Sequence, residues 1–197
     1  FTDPETINRM LTPALNYLEG ELSKDYLQLK KQVKGYDKKM SINSFQLHVL
    51  AMRTQIKTTD SATSVNEAIA FYLGQTEQYH NKFGLYDKAL AAVVLHHANK
   101  PVAVDAIIKS LKENSIRSTD KGMYWSKNTS GYRWNERPIS VQVKLMEAFN
   151  LIPGNETELA LMKIWLLRQK QTQQWESPVA SVNAIYALTG IGNNLLN

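Results

Sequence analysis

The 197-residue chain contains no cysteine. Disulfides, thiolate-bound zinc, iron–sulfur clusters and thiol nucleophiles are therefore excluded within it. Long apolar runs are missing too: none approaches the roughly 18 residues of a membrane-spanning helix, and Phe1-Thr2-Asp3-Pro4-Glu5 lacks the basic start and apolar stretch of a signal peptide. Insertion of this segment into a bilayer is not expected. With 43% hydrophobic and 21% charged residues the composition sits near the average of soluble globular proteins, which excludes disordered, collagen-like and coiled-coil classes. A chain of this size can bury roughly 70% of its unfolded surface as one domain.

The charge excess is mild, +5, and much of it is local. Lys24, Lys30, Lys31, Lys34, Lys38 and Lys39 crowd one stretch against only Asp25 and Asp37. Only Tyr26 and Tyr36 interleave them, so the run reads as a solvated helix end and not as a nucleic-acid interface.

Apolar spacing follows the helical period almost throughout, which predicts an all-α chain. Asp3-Pro4 with Glu5 reads as a helix start, and Ile7, Leu11, Leu15, Leu18 and Leu22 mark one face. A second helix is predicted from near Ser41, with Ile42, Phe45, Val49, Met52 and Ile56 as its apolar face. Thr63-Ser64-Val65-Asn66-Glu67 resembles a capping box opening a third, which carries Ile69, Tyr72, Tyr79 and Phe83 to a break at Gly84. The fourth, Leu85 to about Ala98, is apolar nearly all round, and Asn99-Lys100-Pro101 ends it and starts an amphipathic fifth. From Ser118 to Arg137 the pattern stops. That segment, with Tyr124, Trp125, Tyr132 and Trp134 around Asn128-Thr129-Ser130-Gly131, reads as a long aromatic loop or a short hairpin. Helical spacing resumes after Pro138, stops at Pro153-Gly154, and resumes from Asn155 to about Lys170.

Internal repetition organises these helices. Trp134-Asn135-Glu136-Arg137-Pro138-Ile139-Ser140-Val141 is echoed by Trp175-Glu176-Ser177-Pro178-Val179-Ala180-Ser181-Val182, with Ser-Val at the same distance from each tryptophan. The more apolar helices begin near 41, 84, 138 and 178 and alternate with more amphipathic ones. Helical hairpins repeated in this way are the pattern of an α-solenoid or an α/α toroid, in which inner helices pack around an axis and outer ones shield them.

Several phrases, in order, also resemble one family. Phe83-Gly84-Leu85-Tyr86-Asp87-Lys88-Ala89-Leu90, Ala106-Ile107-Ile108-Lys109-Ser110-Leu111 and Tyr124-Trp125 are similar to parts of the thioester-containing domain of alpha-2-macroglobulins. Ser140 to Ala148 resembles an inner helix of that domain, Leu161 to Lys170 an outer one, and Trp175 to Leu188 its last inner helix. The resemblance runs over 84–191 and continues toward the start by helix rhythm alone. It implies an α/α toroid within a large protease trap or complement relative, and for bacterial members a place in the periplasm or at the cell surface. The family's chemistry is a thioester between the Cys and Gln of a Cys-Gly-Glu-Gln motif. This chain has no cysteine, so that role passes to none of its residues. The histidine that assists acyl transfer in some relatives would fall near Val33 to Tyr36, where none stands, and Gln173-Gln174-Trp175 replaces a common Gly-Gly-aromatic turn.

Candidates for chemistry are few. His96 and His97 are adjacent and so diverge by about 100° on a helix, which prevents a two-ligand face. No carboxylate cluster of the kind toroidal terpene cyclases use is present, and neither a metal nor a cofactor is expected. A glycosidase on this fold would need two carboxylates about 5 to 10 Å apart; Glu136 and Glu176 are the acid/base candidates, with Asp87 and Asp37 behind them. Helix N-termini favour acidic residues for dipole reasons alone. Tyr124, Trp125, Trp134 and Trp175 could stack on a ligand, but the shared repeat position of Trp134 and Trp175 suits core residues sealing successive hairpins. Asn128-Thr129-Ser130 and Asn155-Glu156-Thr157 fit the glycosylation pattern.

The expectation is thus one helical domain over 1–197, cut from a larger multidomain chain. It would be a non-catalytic C-terminal part of the thioester-type domain of a bacterial protease trap, contacting neighbouring domains and target proteases but no nucleic acid. An α/α-toroid carbohydrate-active enzyme and a helical-repeat binding scaffold are the alternatives. Four hairpins fall short of the family's ring of about six, so the first or last helices should expose apolar surface.

Overall fold

A computed structural model describes residues 4–56, 62–129, 137–172 and 177–191. The described residues are all-α apart from one small hairpin. Its elements are α1 (Pro4–Gln32), a 3-10 turn (Tyr36–Lys38), α2 (Ser44–Gln55), α3 (Thr63–Tyr79), a second 3-10 turn (His80–Lys82), α4 (Leu85–His97), α5 (Pro101–Glu113), β1 (Ile116–Ser118), β2 (Gly122–Tyr124), α6 (Pro138–Asn150), α7 (Glu156–Thr172) and α8 (Pro178–Thr189). They divide between two compact units. The first holds residues 1–82 and 94–100, and the second 83–93 and 101–197.

In the first unit α1 packs on α2 and α3. Of the five leucine and isoleucine positions predicted to mark its inner face, Leu15 and Leu22 are fully buried, whereas Ile7 and Leu11 are exposed. The buried face belongs to the stretch after Pro13, where Glu19, Ser23 and Tyr26 join it. Pro13 has no N–H to give the carbonyl of Arg9, yet the helix runs through it.

α2 starts three residues later than the spacing predicts. Asn43 caps it, its side chain accepting from Phe45 N, while Gln46 Oε1 accepts from Asn43 N at 2.9 Å in a reciprocal capping box. That register turns Leu47 and Leu50 inward and leaves Phe45 at the surface. Ile42 and Ile56 are buried just outside the helix ends. The capping box expected at Thr63 does not form. Ala62 occupies the cap position, with no side-chain bond to the first turn.

Tyr26, Tyr36, Phe71 and Tyr72 pack as an aromatic cluster, with ring centroids 5.1 to 6.2 Å apart. The segment before α2 is tied to α3 by two bonds: Ser41 N donates to Gln75 Oε1 at 2.8 Å, and Tyr79 Oη donates to Lys38 O at 3.1 Å.

In the second unit α7 packs on β2, α6 and α8, and α6 packs on α8. A two-stranded antiparallel hairpin forms at the edge of the predicted loop, pairing Ile116 with Tyr124 and Ser118 with Gly122, while 130–136 of that loop lie outside the described residues. α5 has the amphipathic pattern read from its sequence and buries Ala103, Val104, Ile107, Ile108 and Leu111. α6 is enclosed nearly all round: Ile139, Val141, Val143, Leu145, Met146, Ala148 and Phe149 are all buried. Gly154, in the left-handed region at φ 83°, turns the chain between α6 and α7. The buried Asn155 amide then donates to Phe149 O at 3.3 Å and to Ile152 O at 2.7 Å, satisfying carbonyls at the end of α6. Ser177 caps α8 by accepting from Ala180 N at 3.1 Å, with Pro178 in its first turn.

Candidate functional site

The hairpin carries the two aromatic site candidates that fall on described residues. Its turn is closed by Ser118 Oγ, which accepts from Asp120 N at 3.3 Å and Lys121 N at 3.1 Å. Gly122 follows at φ 77° and lies directly on the backbone of α7. A Cβ at this position would stand 2.6 Å from Trp165 N and still closer to Leu161 O, so the close approach requires glycine as much as the dihedral does.

Trp125 is 2% exposed. Its indole N–H donates to Leu111 O at 2.9 Å, and its ring meets Phe149 edge-on at 6.3 Å. An indole anchored in this way joins α5 to α6 and has no face free for a sugar. Tyr124 is half-buried beside it. Trp134, Trp175, Glu136 and Glu176 lie outside the described residues, and so does the aromatic partner Tyr132.

Polar groups around the hairpin serve to hold it. Gln142, fully buried in α6, donates through Nε2 to Met123 O at 2.9 Å. Arg168 of α7 grips Asp120 twice, with Nη2 at 2.5 Å from Oδ1 and Nε at 3.2 Å from the carbonyl. Glu158, 8% exposed in the first turn of α7, meets Lys112 at 3.1 Å and Arg117 at 3.4 Å. Burial opposes ionisation of this carboxyl, but Lys112, its own backbone N–H and Arg117 together outweigh it and hold Glu158 below the usual carboxylate range. The residue links α5, β1 and α7. Sequence reasoning passed over it because an acidic residue in a first helical turn is ordinary, and its cationic partners come from other elements.

Two clefts are lined by described residues of the first unit. One, of about 300 Å³, is walled by Leu50, Ile69, Leu73 and Val94, with Arg53 and His97 at its polar side. Arg53 is not free there, since it pairs with the buried carboxylate of Glu19. The other, about 270 Å³, is lined by Asp25, Gln28, Gln46 and Tyr72 among others. Gln46 Nε2 donates to Asp25 Oδ2 at 3.1 Å. Burial, then the nearby Asp25 and Tyr26, push the Tyr72 phenol up to about 12, so it stays neutral.

These groups do not assemble nucleophilic chemistry. His48 is near Ser44, but its Nδ1 lies 2.6 Å from Ser44 O and 3.4 Å from Ser44 Oγ, so the ring's proton serves the carbonyl. His96 and His97 are exposed in the last turn of α4 with their rings edge-on at 5.6 Å. Among the described residues no three His, Asp or Glu side chains could share a metal ion. Asp37 and Asp87 sit in the first turns of a 3-10 turn and of α4, positions that the helix dipole alone favours. As for the glycosylation patterns, the Asn155 amide is buried and bonded, and Asn128 Nδ2 donates to Pro138 O at 3.0 Å.

Among the described residues the buried polar groups brace helices and a hairpin. The family profile described as the A-macroglobulin TED domain matches residues 16–190, and the chain belongs to that family. Comparison with curated proteins and with solved structures gave no match.

Proposed function

We propose that the chain is a non-catalytic part of the thioester-type helical domain of a bacterial macroglobulin-like protease trap. The observation that carries this reading is the family match over 16–190 in a chain without a single cysteine. The thioester's sulfur must then come from elsewhere in a longer protein, or the member works without one. Either way these residues contribute shape and surface rather than a reacting atom. In this reading both units belong to one domain of a larger chain, and their helical hairpins form part of an α/α toroid.

The outer face of α8 supports a role within a larger assembly. Val179, Val182, Ile185 and Tyr186 follow one another at helical spacing and are 53 to 66% exposed. Contiguous apolar surface on a folded helix marks a contact site. Neighbouring parts of the parent chain are its proposed cover, and target proteases are the partners of the whole. The place of action is extracytoplasmic, in the periplasm or at the cell surface.

The test is to incubate the parent protein with a broad-specificity protease, then compare cleavage of a large protein substrate with that of a small chromogenic peptide. A trap suppresses the first and spares the second. If both continue unchanged, or if both stop as with an active-site inhibitor, the reading is wrong.

A further inference from the structure

Among the described residues, seven cations elsewhere in the chain have a carboxylate. Lys24 pairs with Glu21, Arg53 with Glu19, Lys100 with Glu77, Lys112 and Arg117 with Glu158, Lys144 with Glu147, and Arg168 with Asp120. The segment at and beyond the C-terminal end of α1 gathers five lysines within ten residues, 30–39. Lys30, Lys31, Lys34, Lys38 and Lys39 are all exposed, and among the described residues none has a carboxylate partner. Asp37 is the only acidic residue between Tyr26 and Asn43, so the segment carries +4 of a whole-chain charge of +5. The helix dipole accounts for Lys30 and Lys31 in the last turn. It does not account for Lys34, Lys38 and Lys39, which lie past the helix end.

We infer that this segment is a peripheral docking surface for an anionic lipid bilayer. The residue types favour lipid over other polyanions. No arginine occurs between Met10 and Met52, so the forked, bidentate grip typical of specific phosphate or base recognition is absent. No aromatic ring is free to stack on bases: Tyr26 is buried, and Tyr36 is packed against Tyr26 and Phe71. Lysine is depleted in the cores of protein–protein interfaces, which are anchored by aromatic residues and arginine. Clustered lysines, each a compact point charge, suit a diffuse negative surface, and Lys30 also rests over the Tyr26 ring at 5.7 Å. Leu27, 49% exposed and one helical turn before Lys30 and Lys31, adds apolar contact on the same helical stripe, and Met40, 40% exposed, ends the segment. Adsorption of this kind requires no membrane-spanning helix, and it is independent of any protease-trapping role.

The experiment is sedimentation of the 197-residue chain with vesicles of neutral phosphatidylcholine alone or mixed with anionic phosphatidylglycerol, at low and at high salt. Binding is expected to the anionic vesicles only, and to fall at high salt. Each lysine lost should weaken partitioning by about fivefold, so the triple variant Lys31→Gln, Lys34→Gln, Lys38→Gln should bind about a hundredfold more weakly. A control triple variant with the same charge change in the other unit, Lys109→Gln, Lys121→Gln, Lys127→Gln, should bind as the parent chain does. All six side chains are exposed, and a circular dichroism melt confirms that each variant folds. The inference is overturned if anionic vesicles fail to bind the chain, if both triple variants lose binding equally, or if the chain binds heparin or an acidic protein but no vesicle.

Discussion

α6 and α8 open on echoed phrases, Pro-Ile-Ser-Val and Pro-Val-Ala-Ser-Val, and end in different environments. Val141 and Val182 stand at equivalent places in the echoed sequence, yet Val141 is 5% exposed and Val182 is 66% exposed. α8, with no charged residue, is the more apolar of the two in composition. Two things differ: Val182 stands one place further from the opening proline than Val141, which turns it by about 100°, and α8 buries the side that carries Ala180, Ala184 and Ala187, leaving Val179, Val182, Ile185 and Tyr186 exposed. A helix's own pattern says that it has an apolar surface, but its neighbours decide whether that surface is buried.

The largest contrast should come from Phe149 at the end of α6, whose ring is fully buried against Trp125. Phe149→Ala should cost about 3–5 kcal/mol in urea unfolding. Next is the hairpin on α7. Gly122→Ala forces a methyl into helix backbone at a positive φ, and a loss of about 3 kcal/mol is expected from overpacking and backbone strain together. A loss below about 1 kcal/mol would show that the hairpin can lift from α7 at little cost.

Glu158→Gln should remove about 1–2 kcal/mol by weakening its charged bonds to Lys112 and Arg117. The carboxyl is held below its ordinary value when folded, so its contribution is complete above about pH 4.3. That contribution fades as pH falls through the lower folded value. The wild type should therefore lose more stability on acidification than Glu158→Gln does, as read by melting temperature between pH 6 and about pH 3. The smallest effect is predicted on α8: Val182→Ser should change stability by no more than about 0.5 kcal/mol, because the side chain is already in water. A cost like that of a core valine would erase the contrast with α6.

The all-α class, the eight helices and the amphipathic phase of α5 were legible because they rest on local periodicity. The failures have physical causes. On α2 the predicted Ile42, Val49 and Ile56 are buried, but Phe45, in the first turn beside the Asn43 cap, is exposed, and Leu47 and Leu50 join the core instead. α1 looked apolar along its first 22 residues, yet in its first turns the predicted face stays open to water, with Ile7 and Leu11 41 and 37% exposed. Burial of Glu19 and Glu158 could not be read, because each depends on a cation from another element, Arg53 for the first and Lys112 with Arg117 for the second. Trp125 was readable as an aromatic of interest, but its bond to Leu111 O, which fixes it in the core, is a tertiary fact. The family was legible from phrases in the right order, without any single diagnostic motif.

The central claim is that these residues work through surfaces in a larger molecule, with α8 as a contact face. It is tested most directly by carbene footprinting of Val179, Val182, Ile185 and Tyr186 in the 197-residue chain and in the complete parent protein. Strong labelling in the chain that falls severalfold in the parent is the predicted result. Equal labelling of the four residues in both would contradict the account.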